Sequence, residues 1–307
     1  MKSPRTHRTR PGPLHHRTVV VTGAARGLGA ALARELAHRN ARLALLGLEQ
    51  DALEQVAAAL PAPALALPVD VTDPAALHTA ARTVRERLGP PSVVIANAGI
   101  AQAGPLQSAD PHAWRRVIEV NLTGSALTAQ TFLPDLLHTR GYHLQIASLA
   151  ALGAVPMLSA YCASKAGVEA FTHALRAETA HRGVAVGIAY LNWLDTDMLD
   201  EVDTYAALRE PRALLPPCAR RIRPLAPVAA RLADAVEARR TAVYVPAWTR
   251  LAQAGRGLLP PLVTRLARAR FHRRPPGEPI AQTGPLGAGG RAAHRPNRPP
   301  PHRPPPH

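Results

Sequence analysis

Lysine is almost absent from this chain. Of its 37 basic residues only Lys2 and Lys165 are lysines, and all the others are arginine. Cysteine is as scarce: Cys162 and Cys218 offer neither a disulfide framework nor a metal-ligand spacing, which excludes a cross-linked scaffold and a zinc site. Cys162 reads as a small buried thiol. Aromatic residues make up 4% of the chain, so the core falls to Ala, Leu and Val. No run of about 18 apolar residues is present to form a membrane-spanning helix. The N-terminus MKSPRTHRTRPGPLHHR lacks the apolar stretch of a secretory signal. Together these absences lead to the expectation of a reducing, cytoplasmic setting.

Positive charge is what the chain has in excess, with a formal net charge of +16. Much of it lies at the ends. The first 17 residues carry Lys2, Arg5, Arg8, Arg10 and Arg17 with no acid, and the segment from His272 onward holds six Arg, one Glu and 11 of the 32 prolines. Such composition buries too little apolar surface to repay ordering, so both ends, 1–16 and 272–307, read as disordered tails. Arginine without interleaved aromatics is a poor nucleic-acid signature, and specific nucleic-acid binding is not expected.

Between 17 and 247 short β-rich runs alternate with helical patterns, the signature of βαβ units and a parallel sheet. RTVVVTG (17–23), ARLALLG (41–47), ALALPVD (64–70), SVVIANAG (92–99), YHLQIAS (142–148), VAVGIAYL (184–191) and TAVYVP (241–246) read as strands. Helices are expected over 27–39, 48–60, from 72, over about 110–138, over 159–183 and near 226–239. The fold class is therefore α/β, a Rossmann-type doubly wound sheet of about seven strands in a single domain. Its chemistry belongs at the carboxyl ends of the strands. A helical extension over 248–271 follows the domain.

Three features carry chemistry. TGAARGLG (22–29) lies between a strand and a helix, where Gly23, Gly27 and Gly29 permit a tight turn and close backbone approach to a pyrophosphate. Tyr161 and Lys165 stand at i and i+4 of one helix, on one face. With five Tyr and two Lys placed at random, only about 0.03 such pairs would arise. A compact ammonium beside a phenol favours phenolate and suits general acid/base work, although a tyrosine packing on a surface lysine leaves the same trace. Ser148 ends the fifth strand, where a hydroxyl can hydrogen-bond a substrate oxygen as charge develops. A strand-ending serine is also an ordinary turn residue.

TGAARGLG, NAG (97–99), VNLTG (120–124), Ser148 and YCASK (161–165) together resemble the short-chain dehydrogenase/reductase family in its compact branch, over about 17–247. The resemblance implies a catalytic set of Asn121, Ser148, Tyr161 and Lys165. Tyr161 would be the proton donor in reduction and the base in oxidation. Lys165 would bind the nicotinamide ribose and lower the Tyr161 pKa, Ser148 would hold the substrate oxygen, and Asn121 would order a water that relays protons through Lys165. It also implies a cofactor site. Thr22, Gly23, Arg26, Gly27, Leu28 and Gly29 form its glycine loop, Asp70 and Val71 meet the adenine, and Asn97, Ala98 and Gly99 shape that side. Thr196, in LDTDM, would hold the nicotinamide carboxamide, with Tyr161 and Lys165 closing the site. No metal is implied.

The chain departs from the family at Leu191 and Asn192, where Pro-Gly is usual. Asn tolerates left-handed backbone, so part of the glycine role can survive there. For cofactor choice, Arg26 resembles the basic residue that meets the 2′-phosphate of NADP. Gly47 holds the position where NAD users keep an acid. NADP(H) is therefore favoured over NAD(H), and Glu49 reaching the ribose would reverse that preference.

The segment LAALGAVPML (149–158) is apolar and is expected to line the pocket, which favours an apolar alcohol or carbonyl substrate; an apolar loop packing on its own domain reads the same way. The variable segment after Thr196, DMLDEVDTYAALREPRALLPP, mixes acids with Leu and Ala. GLLPPLVTRLARARFHRR (257–274) reads as a basic amphipathic helix able to lie on an anionic membrane or to dock on the domain or another subunit. The resemblance implies a homodimer or homotetramer paired through the helices near 110–138 and 159–182. The leading reading is an NAD(P)-dependent oxidoreductase interconverting alcohol and carbonyl. A non-catalytic cofactor-sensing protein, or a surface binder working through the Arg-rich ends, is the alternative.

Overall fold

The computed structural model describes residues 12–153, 155–197, 199, 205–273 and 280–294. Seven parallel strands form one sheet in the order β3-β2-β1-β4-β5-β6-β7. They are β1 (Thr18–Thr22), β2 (Arg42–Gly47), β3 (Leu65–Pro68), β4 (Val93–Ala96), β5 (Tyr142–Ser148), β6 (Ala185–Leu191) and β7 (Ala242–Val245). β1 sits between β2 and β4, so the chain reverses its direction of travel across the sheet there. The loops after β1 and β4 part at that point and leave a crevice.

Side chains alternate between the two faces of the sheet, as the period of two requires. Val19, Val21, Leu43, Leu45 and Ile95 point to a cluster capped by helices α1 (Gly27–His38), α2 (Gln50–Ala58) and a later helix, Leu225–Glu237. Val20, Ala44, Leu46 and Val94 point the other way. They meet α3 (Pro74–Leu88) and two helices introduced below. Leu32, Leu36 and Leu77 are fully buried, each contributing about 1.5–3 kcal/mol. Asp73 starts α3 by accepting from the backbone N–H groups of Ala75 and Ala76, with Pro74 in the first turn.

The long helix expected over 110–138 is not continuous. α4 (Pro111–Ile118) runs into a five-residue π turn, Glu119–Thr123, before α5 (Gly124–Thr139) begins. The apolar pattern carries on across the turn, which is why the sequence reads as one helix. α6 (Ser159–Thr179) follows β5, and α7 (Ala206–Ala213), α8 (Pro217–Arg220) and α9 (Leu225–Glu237) lead to β7. Of the variable segment after Thr196, positions 198, 200 and 201–204 lie outside the described residues.

The two tails depart from expectation where they are described. Leu14 is buried in the core and the His16 N–H donates to Asn40 O at 2.9 Å, so order begins ahead of residue 17. Beyond β7, α10 (Thr249–Ala254) and α11 (Leu259–Phe271) fold back along the domain, and α12 (Gly287–His294) ends the described chain. Disorder was expected from 272 onward, yet residues 280–294 pack on the domain because Leu286 and Ala293 find apolar partners. The remaining expected disorder, over 1–11, 274–279 and 295–307, lies outside the described residues.

Candidate active site

The crevice is built from the carboxyl ends of β1, β4, β5 and β6. After β1 the chain turns through Gly23 (φ 63°) and Gly27 (φ 52°), a left-handed backbone that favours glycine. Gly29 is needed for a different reason: a Cβ there would lie 2.1 Å from Gly23 O. Asn97, just past β4, fastens this loop. Its Nδ2 donates to Thr22 O at 2.9 Å and to Gly23 O at 3.2 Å, and its backbone N–H donates to the Thr22 hydroxyl at 3.0 Å. Thr22 takes a second bond from the Ala98 N–H at 3.1 Å.

Across the crevice stands the trio at β5 and α6. Ser148, the last residue of β5, pairs in register with Leu191 and accepts from the Ala150 N–H at 3.2 Å. Tyr161 lies in the first turn of α6 and lines the same crevice as Ser148. Lys165, one turn on, is buried; its Nζ donates to Ile146 O at 3.2 Å and stands 5.6 Å from the centroid of the Tyr161 ring. Burial disfavours the charged forms of both groups. It lowers Lys165 to about 8. It raises the Tyr161 phenol above its ordinary value, with the Ser148 hydroxyl opposing and Cys162 adding to the rise. Lys165 is not among the groups that shift the phenol, so the lowering expected of it has no counterpart here.

Asn121 sits in the π turn and is fully buried. Its Nδ2 donates to Ile100 O and to the Ser164 hydroxyl, both at 2.9 Å, and its Oδ1 accepts from the Ile100 N–H at 2.8 Å. The extra residue of a π turn re-aims one side chain, here between the β4 loop and α6. Asn121 and Lys165 converge on Gly99, where a Cβ would lie 3.3 Å from Oδ1 and 3.5 Å from Nζ.

At the other end, Asp70 accepts from the Thr72 N–H and hydroxyl at 2.9 and 2.7 Å and from Arg116 at 2.6 Å. Burial raises the Asp70 pKa, but these three donors prevail and hold it below its usual value. Arg116 had no signal in the sequence, since it lies 46 residues from Asp70. Arg26 and Glu49 are joined through two atom pairs, one of them Arg26 Nε to Glu49 Oε2 at 3.2 Å. Asp197 stands 3.8 Å from the same guanidinium. Thr196 packs over Gly27. Asn192 does not adopt left-handed backbone; its Nδ2 instead donates to Ala219 O at 2.8 Å. The glycine role is replaced there by a side-chain tie to α8.

The crevice has a volume of about 530 Å³, and it is lined by Gly23, Leu28, Asp70, Val71, Ala98 and Gly99 along one arm and by Tyr161, Lys165 and Thr196 at its centre. That size lies within the range of ligand sites. Backbone donors around the glycine loop, a buried ammonium and the polar Asp70 corner suit a dinucleotide. Beyond Tyr161 the lining turns apolar, with Leu149, Val155, Trp193, Leu208 and Leu259. Part of this wall comes from α11, one of the alternatives the sequence leaves open for this basic amphipathic helix being to dock on the domain. Among the described residues no His, Cys, Asp and Glu group is arranged to hold a metal.

Comparison with known proteins agrees with this fold. The family model described as short chain dehydrogenase matches residues 17–206. The chain is 33% identical over 184 residues to meso-2,3-butanediol dehydrogenase of Serratia marcescens, covering 60% of this chain and 73% of that one. It is 33% identical over 177 residues to 2-(S)-hydroxypropyl-CoM dehydrogenase 3 of Xanthobacter autotrophicus, covering 56% and 69%. Among solved structures, a short-chain type dehydrogenase/reductase from Mycobacterium marinum superposes with a TM-score of 0.68 at 26% identity, covering 75% of this chain and 94% of that one.

Proposed function

Because the chain belongs to the short-chain dehydrogenase family, whose members are NAD(P)-dependent oxidoreductases of alcohol and carbonyl groups, we propose that it interconverts an apolar secondary alcohol and its ketone, with Tyr161 as the acid/base. The observation that carries this is the convergence of Ser148, Tyr161 and Lys165 on one crevice, with the buried Lys165 Nζ 5.6 Å from the centroid of the Tyr161 ring. A bound nicotinamide cofactor supplies or accepts the hydride. The chain's own residues handle the proton. In reduction the Tyr161 phenol gives its proton to the carbonyl oxygen while Ser148 donates a hydrogen bond to that oxygen. In oxidation the Tyr161 phenolate takes the hydroxyl proton. Lys165 offers a buried cation that favours the phenolate and can hydrogen-bond ribose hydroxyls. Asn121 holds the β4 loop and α6 at a fixed separation beside Lys165.

Cofactor preference falls to NAD(H) on this reading, reversing the preference read from sequence. Arg26 lies between the carboxylates of Glu49 and Asp197, so this corner carries net negative charge, which opposes a 2′-phosphate. On this reading Glu49 would accept from a ribose hydroxyl.

The apolar arm of the crevice supports a bulky apolar substrate. α10, the short turn after it and α11 lie beside this arm, with Leu251, Leu258, Leu262 and Leu266 exposed at 76%, 74%, 52% and 40%. Arg250, Arg265 and Arg268 are exposed among them, and no acid occurs from 249 to 273. This surface fits contact with an anionic membrane from which such a substrate could partition. Among the described residues no helix is long and apolar enough to cross a membrane. Half-buried Leu127, Leu133, Leu137 and Phe171 on α5 and α6 support pairing of two copies through those helices.

The test of the reaction class follows cofactor fluorescence while NADH and then NADPH are offered with a panel of apolar ketones. Ketone-dependent loss of NADH fluorescence is expected. Saturable cofactor binding with no turnover on any ketone or alcohol would favour the cofactor-sensing reading instead. Cosedimentation with vesicles containing phosphatidylserine, reduced by Leu258→Asp, tests the membrane surface.

A further inference from the structure

Residues 280–294 cross the crevice from one end to the other. Thr283 pairs with the β4 loop: its N–H donates to Ala103 O at 2.8 Å, and its hydroxyl accepts from the Ala103 N–H at 2.9 Å. The Leu286 N–H donates to Ala101 O at 2.9 Å, and Leu286 is buried in the cluster that includes Tyr161 and Trp193. The chain then turns into α12. The Ala288 N–H donates to Asp197 Oδ2 at 3.0 Å. At the far end Ala293 is buried against Val71, Ile100 and Val120, and its carbonyl accepts from Arg116 Nε at 3.0 Å. The segment therefore runs from the neighbourhood of Tyr161 to the Asp70–Arg116 corner, the two ends of the arm expected to take the dinucleotide.

It forms part of that arm's wall. Gly287, Gly289, Gly290 and Ala293 form one wall of the crevice, whose volume of about 530 Å³ is what remains with the segment in place. Thr283, Leu286, Ala288 and Ala293 are bonded to the β4 loop, Asp197 and Arg116. A Cβ on Gly289 would lie 3.8 Å from Arg26 Cδ, in ordinary contact with a side chain of the loop. A wall of glycine and alanine presents backbone and no bulk to whatever lies beneath it.

On the reading that this crevice binds a nicotinamide dinucleotide, we propose that residues 283–293 are part of the cofactor site, a roof that closes over the bound dinucleotide and slows its release. Two apolar anchors, Leu286 and Ala293, and the Thr283 pairing hold the roof down. Cofactor entry and exit then require the segment to lift, so its contribution appears chiefly in the dissociation rate.

The experiment uses the full chain carrying Leu286→Asp or Ala293→Asp, substitutions that set a carboxylate into an apolar anchor. Stopped-flow displacement of bound NADH measures the off-rate, and thermal unfolding checks that the domain is intact. The expected result is an off-rate at least ~10-fold faster in both variants, with an unfolding midpoint near that of the wild type. In the wild type, NADH should also slow tryptic cleavage within the segment. An unchanged off-rate in folded variants, or tighter NADH binding once the segment is loosened, would overturn the proposal; the second outcome would identify a plug in place of a roof. If loosening also unfolds the domain, the cleavage assay decides: no protection by NADH overturns the roof. A wild type that binds neither NADH nor NADPH would overturn the dinucleotide reading first and the roof with it.

Discussion

Lys165 Nζ lies 5.6 Å from the centroid of the Tyr161 ring and donates to Ile146 O at 3.2 Å. One helical turn sets the first distance and the end of β5 supplies the second contact. The ammonium is thereby held between the glycine at 99 and the phenol, in a place too narrow for a guanidinium. This accounts for a lysine at that position in a chain that uses arginine almost everywhere else.

Lys165→Arg retains the charge and should still fail. Turnover is expected to fall about 100-fold or more, with cofactor affinity weakened as well. Steady-state kinetics and NADH titration on the same preparation check this. Turnover within a few-fold of wild type would show that only the charge matters.

The Arg26–Glu49 pair makes a prediction about cofactor choice. Glu49→Gln releases Arg26 from one of its two carboxylates and should shift the ratio of NADPH to NADH affinity upward by about 10-fold, roughly 1.4 kcal/mol. Parallel fluorescence titrations read the ratio. A ratio unmoved by the substitution would mean that the pair does not face the ribose.

How much of this could be read from the chain alone depended on sequence distance. Strand, glycine turn and helix are contiguous in TGAARGLG, and Tyr161 and Lys165 are four residues apart, so periodicity exposes both. The strand ends of β1 and β4 also follow from composition. Arg116 meeting Asp70, or Thr283 meeting Ala103, depends on contacts that no local pattern encodes. The π turn at Glu119–Thr123 escaped because one extra residue in an apolar helix barely changes its pattern, yet that turn is what aims Asn121. The tail segment 280–294 is rich in Gly and Ala and looks unable to fold. It packs only because the domain offers apolar partners to Ile280, Leu286 and Ala293.

His143 gives a test of stability. It is fully buried in β5, where burial lowers its pKa to about 4 with Gln145 opposing. The unfolded value is about 6.5. Above pH 6.5 the ring is neutral in both states and stability is full. As pH falls from 6.5 to about 4, the unfolded chain binds a proton that the folded chain refuses, so stability declines, by up to roughly 3 kcal/mol. Urea unfolding of wild type and His143→Leu across this range should show the difference between them changing with pH in that sense. A constant difference would mean that His143 is not the titrating group.

The central claim is that Tyr161 moves the proton. The most direct measurement is turnover of Tyr161→Phe alongside its affinity for NADH. The hydroxyl is removed while ring, fold and dinucleotide arm are kept. The account predicts turnover lower by about 10³-fold or more, with NADH affinity within about twofold of wild type. Turnover near the wild-type level, with cofactor still bound, would contradict it.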